Sequence, residues 1–257
     1  MLGSRSMAHP RMALAALMSA LTLVAGVAGG DVIDKGSFRI LRNQGLLGVE
    51  AFELEEAQDS LLVRTRQRLT VPTSPEGDTL LKSADILVGR DDFGLRQYHS
   101  TRTFHGATTE RGLVMADTHY VAYREERGVG EGESRPLPPG RLFLMDSQLI
   151  ALFDLLCRSM NGTSFTSRPV NLLALGPRDT LLDARAVVLA SETIRWGGRP
   201  VLARKFQLVA DHQTTFTIWM GPQGQLLRLI EPVTGLRVDR ESPPLKRRRP
   251  PAPKPGG

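Results

Sequence analysis

Apolar and polar positions alternate along most of this chain in runs of strand length, and short glycine turns separate the runs. The clearest stretch is Thr180–Ile194, a Trp196–Gly198 turn, Val201–Ala210, Thr214–Met220, the Gly221–Gly224 turn and Gln225–Ile230. Runs of this length with two-to-four-residue glycine turns predict an antiparallel β-meander. Upstream, Ser37–Leu41 and Gly48–Glu56 form a predicted hairpin through Asn43-Gln44-Gly45, and Leu61–Val71 follows the short loop Ala57–Ser60. Thr79–Val88 and Leu95–Phe104 pair around the turn Arg90–Gly94, and Leu113–Arg124 reads as one bent strand or two short ones. Arg168–Ala174 opens the C-terminal part, giving an expected total of about ten to twelve strands. Gly128–Gly140 carries glycine, proline and charge without periodicity and reads as a mobile loop.

One segment has helical spacing. Leu149, Phe153, Leu156 and Met160 recur on one face, Asp146 is the expected N-cap, and Gly162 can end the helix. The fold class is therefore mainly β: a curved antiparallel sheet, a half-barrel or open barrel, with one amphipathic helix packed on its concave face.

Strand parity assigns faces. Pairing across Ala57–Ser60 puts Phe52 and Leu54 with Leu61, Val63 and Thr65 on a core face. Glu53 and Glu55 then share the other face with Arg64, Arg66 and Arg68. That arginine row is the candidate contact for an anionic ligand, set against a solvated face of cross-strand Glu/Arg pairs.

Charge matters only once it is located. The 257 residues carry a formal net charge of +6. Seven of the 33 basic residues lie at the ends, Arg5 and Arg11 before residue 31 and Lys246, Arg247, Arg248, Arg249 and Lys254 after residue 241, leaving 26 against 27 acidic ones between. A near-neutral body argues against nucleic acid as a partner, since phosphate contacts need a concentrated basic surface.

Residues 1–30 read as a signal peptide: two arginines without an acid, the small-apolar run Ala13–Val27, then small residues for cleavage near Ala28–Gly30. The run is short for a membrane span, so no stable transmembrane segment is expected after cleavage, and the expected location is periplasmic or secreted. Residues 31–241 form one domain. Residues 242–257 are a Pro-rich basic tail expected to be disordered, with an acidic envelope surface as its candidate contact.

Candidate chemistry is sparse. The single Cys157 excludes an internal disulfide and reads as a buried, inert thiol beside Phe153, Leu156 and Met160. His99 and His119, with Asp117 nearby, could face one another if their strands pair directly, and His105 lies close by. No HExxH or comparable spacing supports a metal, and none is expected, nor any other cofactor. No GxSxG, SxxK or Cys/His arrangement points to a hydrolase.

The order of leader, Gly36–Phe52 in the pattern G-x-F-x-[VI]-L-x-N-x-G-x-[VL]-G-x-E-x-F, a helix preceded by Leu144-Met145-Asp146, and Trp219–Arg228 in the pattern W-x-x-P-x-G-x-L-L-R resembles bacterial periplasmic domains of unknown function. These are in turn similar to the half-barrel of the lipoprotein localisation factors. The resemblance covers most of Gly36–Glu241. It implies that fold, and by analogy alone a carrier role.

Two functions follow as expectations. The first is a non-enzymatic envelope binding or carrier protein for a lipid or other amphiphile held between helix and sheet, with Phe153, Leu156, Met160 and Trp219 as its ligand-binding candidates. The second is an envelope scaffold or adaptor with a fully packed core. A hydrolase assembled from scattered residues is the third.

Overall fold

The computed structural model describes residues 30–71, 78–146, 149–211 and 214–241. The expected leader up to residue 29, residues 72–77 and the expected tail at 242–257 lie outside the described residues.

Among these residues the strands are β1 (Val32–Arg42), β2 (Gly45–Ala57), β3 (Ser60–Thr70), β4 (Thr79–Gly89), β5 (Leu95–Phe104), β6 (Ala107–Met115), β7 (His119–Glu126) and β8 (Val129–Pro136). After β9 (Leu142–Met145) comes the helix α1 (Ala151–Met160). The chain continues as β10 (Ser167–Ala174), β11 (Thr180–Val188), β12 (Glu192–Trp196), β13 (Arg199–Ala210), β14 (Thr214–Met220), β15 (Leu226–Glu231) and β16 (Leu236–Arg240).

The strands form one large open sheet of order β8-β7-β6-β5-β4-β3-β2-β1-β16-β15-β14-β13-β11-β10-β9, with β12 paired only to β13. It is two antiparallel meanders joined where β1 pairs β16, Phe38 opposite Arg240. One pair is parallel: β9 returns through α1 to lie beside β10, Leu144 opposite Leu173. This is the connection a helix supplies between parallel neighbours.

The turns show why the punctuation was legible. Asn43 and Gln44 both have positive φ, as do Gly197 and Gly198, and two such residues give the twist a two-residue hairpin needs. Alternation places Phe38, Ile40, Phe52, Leu54, Val63, Ile86, Tyr98 and Leu113 on one buried face, which continues through Leu172, Phe206, Ile218, Leu229 and Val238. Helix α1 sits on that face, and its Phe153 ring lies 5.0 Å from that of Phe216.

Several expectations are corrected. Among the described residues there are sixteen strands rather than ten to twelve. Leu113–Arg124 divides into β6 and β7, and Thr180–Ile194 into β11 and β12. Within Gly128–Gly140, residues Val129–Pro136 are not loop but strand: β8 pairs along β7 from His119↔Pro136 to Glu126↔Val129. Strand β8 is an edge held by its backbone ladder, and nearly all its side chains are exposed, so burial imposes no apolar alternation on it. Helix α1 begins at Ala151, five residues beyond Asp146, with no side-chain cap from its own neighbourhood. It is buried on nearly every side, with only Arg158 partly exposed, so its polar face is not a solvent face.

Candidate functional site

Helix α1 is held by carboxylates buried in the sheet. Glu50 lies on β2 at the core parity of Phe52 and Leu54 and is fully buried. Its carboxylate accepts the Ile150 N–H at 2.7 Å and the Ala151 N–H at 2.8 Å, where a helix leaves its first amides unpaired. The Thr65 hydroxyl at 2.8 Å and the Gln67 amide at 2.9 Å donate to the same group. Burial pushes the Glu50 carboxyl up to about 7, with the backbone and Thr65 hydrogen bonds pulling it back and the Asp146 charge adding to the rise.

Further along α1, Asp154 accepts the Leu226 N–H at 2.7 Å, Arg158 at 2.7 Å and Arg240 at 3.2 Å. Both arginines also meet Asp34, and the Arg240 guanidinium stands 4.7 Å from the Phe52 ring centre. Two carboxylates and two guanidiniums thus neutralise one another between helix and sheet, which is what burying them requires.

A second polar region opens to solvent. On the inner face of β4–β7 the apolar floor gives way to rows of polar side chains. Lys82 stands opposite Arg102, and Arg102 opposite Thr109; Ser100 stands opposite Arg111, and Arg111 opposite Arg124. With Asp146 and the Leu175–Pro177 turn these line a hollow of about 330 Å³. A neighbouring hollow of about 390 Å³ shares Arg111, Arg124 and Pro177 with it. The two make one groove between the β5–β8 arm and the turn after β10.

The groove is fastened across its width. Arg111 donates to the Gly176 carbonyl at 2.6 Å and lies 3.2 Å from Asp179. Arg135 donates to the Asp179 carbonyl at 2.8 Å. These contacts draw the two ends of an unclosed sheet towards each other. At the inner end Lys82 pairs with Asp146, which also accepts the Tyr98 hydroxyl at 3.3 Å. Burial pulls the Lys82 ammonium below its ordinary range, opposed by Asp146, while burial and the Asp146 charge push the Tyr98 phenol well up. The side chain proposed as a helix cap is instead the counter-ion of a buried lysine.

The residues chosen from sequence do not assemble into one site. Phe153, Leu156 and Met160 are 5%, 2% and 1% exposed in the main core. Trp219 is on the opposite face of β14, in a separate cluster with Ile194, Ala203 and Leu227 beneath β12. Its indole N–H donates to Glu192 at 3.1 Å, and Lys205 stands 4.8 Å over its ring. Arg64, Arg66 and Arg68 lie along the outer face of β3, with Arg64 paired to Glu55. Cys157 is buried, and its thiol is pushed well up, first by burial and then by the Asp154 charge.

The histidines do not meet across a single pair. His99 faces Gly112 on the intervening β6, Gly112 faces Tyr123, and His119 lies four residues before Tyr123 at the start of β7. His105 lies 3.0 Å from Asp78. Among the described residues no three His, Cys, Asp or Glu side chains gather as a metal-binding group.

Sequence reasoning passed over Glu50, Lys82, Arg102, Arg111 and Arg124. Two of them carried a signal: Glu50 and Lys82 are charged residues at core parity within apolar alternation, and such positions need a buried partner.

No family model matches the chain, and no curated protein matches it. Among solved structures it is similar to the β-barrel-like protein of domain of unknown function DUF1849 from Brucella abortus. That likeness has a TM-score of 0.54 at 9% identity and covers 83% of this chain and 97% of that one. A DUF1089 family protein from Pseudomonas aeruginosa aligns with a TM-score of 0.45 at 12% identity, over 78% of this chain and 92% of that one. The first likeness places the fold among β-barrel-like domains of unknown function and speaks for the fold alone.

Proposed function

We propose that this protein is an exported, non-enzymatic envelope scaffold or adaptor, whose packed β-barrel-like core displays its outer strands and basic tail to partners. The observation that carries this reading is the burial of α1. Phe153, Leu156 and Met160, which a carrier would turn towards a lipid, are enclosed by protein atoms, the first backbone amides of the helix are held by Glu50, and its polar side chains are tied to Asp34 and Arg240. A helix fastened at both ends and packed all round serves as a core element rather than a lid. Export is supported by the leader pattern in residues 1–30 and by the resemblance to periplasmic domains. On this reading a resemblance to the lipoprotein localisation factors would concern the curved sheet and its helix, and not an apolar ligand.

Thermal unfolding of Phe153→Ala and Met160→Ala, with and without added envelope lipid extract, tests the scaffold reading. A packed core predicts a loss of about 2 to 5 kcal/mol for each and no stabilisation by extract. Small losses together with stabilisation by extract would restore the carrier. N-terminal sequencing of protein from the periplasmic fraction tests export: a start between Gly29 and Asp31 is expected, and Met1 on a membrane-embedded species would overturn it.

A further inference from the structure

We infer that the groove on the inner face of β4–β7 binds a phosphodiester group, with Arg102 as its principal charge partner. The inference stands on different residues from the scaffold reading and holds whatever the compartment.

Lys82 is paired with Asp146, Arg111 with Asp179 and Arg124 with Glu126. Arg102, in the same wall, is exposed and has no carboxylate partner among the described residues; its guanidinium stands 5.8 Å from the Phe104 ring centre. Arg135 is paired in turn with Glu133, and the remaining wall residues Arg178 and Glu131 offset one another in charge, so the groove carries one positive charge in excess and a ligand of charge −1 balances it. A guanidinium offers paired N–H donors at the spacing of two oxygens on one phosphorus, and it matches such a group better than a point charge does.

Neighbouring donors suit the same group. Thr109 is directly across from Arg102, and Ser100 and Lys82 line the inner end of the hollow. The Lys82 ammonium has three N–H groups and Asp146 cannot occupy them all. The groove's shape selects the diester. A phosphate monoester carries close to two charges at neutral pH and one substituent, which suits a blind pocket with a larger charge excess. A diester carries one charge and two substituents, and needs a channel open on both sides of the phosphorus. The 330 Å³ hollow runs past Arg111 and Arg124 into the 390 Å³ one, whose walls add Arg135, Arg178 and Glu133. Walls this polar favour hydroxylated substituents, such as the glycerol arms of a glycerophosphodiester or of a phospholipid headgroup.

The test is calorimetric titration of the full-length chain with glycerophosphoglycerol, and flotation with phosphatidylglycerol vesicles against phosphatidylcholine vesicles at equal ionic strength. Saturable binding of glycerophosphoglycerol that weakens about tenfold in Arg102→Ala and less than twofold in Arg66→Ala, on the outer face, is the expected result. Circular dichroism melts of both variants establish that they fold. Flotation with phosphatidylglycerol alone, also lost in Arg102→Ala, assigns the diester to a lipid headgroup; soluble binding without flotation assigns it to a free glycerophosphodiester. No binding by either probe, binding that survives Arg102→Ala, or equal affinity for gluconate, which shares the charge but not the phosphorus, overturns the inference.

Discussion

Glu50 on β2 and Ile150 at the start of α1, 100 residues apart in the chain, meet at 2.7 Å in the buried interior. The helix has no capping side chain of its own, so a strand supplies one. A cap brought from a distant strand fixes the helix's position as well as its first turn.

Burial of this carboxyl, only partly offset by the helix amides, makes stability depend on pH. The Glu50 carboxyl rises from 4.5 to about 7 on folding, so between those values the folded chain holds a proton that the unfolded chain has released. The contribution is therefore largest near pH 4.5, falls as pH rises, and levels off above about 7, a change of about 3 kcal/mol. Glu50→Gln removes the titrating group. Chemical denaturation from pH 5 to 8 should show native stability falling relative to that variant across this window.

Asp154 is the buried centre of its ion cluster, and Asp154→Ala leaves Arg240, Arg158 and the Leu226 amide short of an acceptor. A loss of about 3 to 5 kcal/mol is expected in urea denaturation. Asp239→Ala deletes the partner of Arg228 and Arg237 in a more exposed pair, and should cost about 1 kcal/mol or less.

Cys157 is fully buried within α1, with its thiol held protonated. A thiol reagent such as dithionitrobenzoate should leave the native chain unlabelled and react with one equivalent only in denaturant. Labelling of the native protein at the unfolded rate would show that α1 leaves its seat.

Gly235 sits at φ +66 in the turn between β15 and β16, and a Cβ there would lie 2.2 Å from the Asn43 side-chain oxygen. The Asn43 N–H donates to the Gly235 carbonyl at 3.1 Å, joining two turns at the seam of the sheet. Gly235→Ala should lower stability by about 1 to 3 kcal/mol, read from the melting temperature.

Much of the sheet was legible because burial and turn chemistry leave local marks. The parity of Phe52, Leu54 and Val63 fixed their face, and Asn43-Gln44 and Gly197-Gly198 fixed their turns. Strand β8 was opaque because its pairing is made by backbone amides, which every residue carries. The helix start was misplaced because Asp146 has the chemistry of a cap, and its actual partner, Lys82, is 64 residues away. The groove was hidden for the same reason: Arg102, Arg111 and Arg124 come from three strands, and only register brings them together. The outer row Arg64, Arg66 and Arg68 stood out because its spacing of two is visible within a single strand.

The seam between β1 and β16 sets an order of events. From β1 to β8 each strand pairs with the one just made, a succession of local closures with little loop entropy to overcome. The other edge of β1 must wait for residues 236–240, so Phe38 and Ile40 stay without their final neighbours until nearly the whole sheet has been synthesised. Two locally formed halves docking along one late seam should give a slow concluding phase in refolding, during which the unpaired edge of β1 is the surface on which misassembly begins.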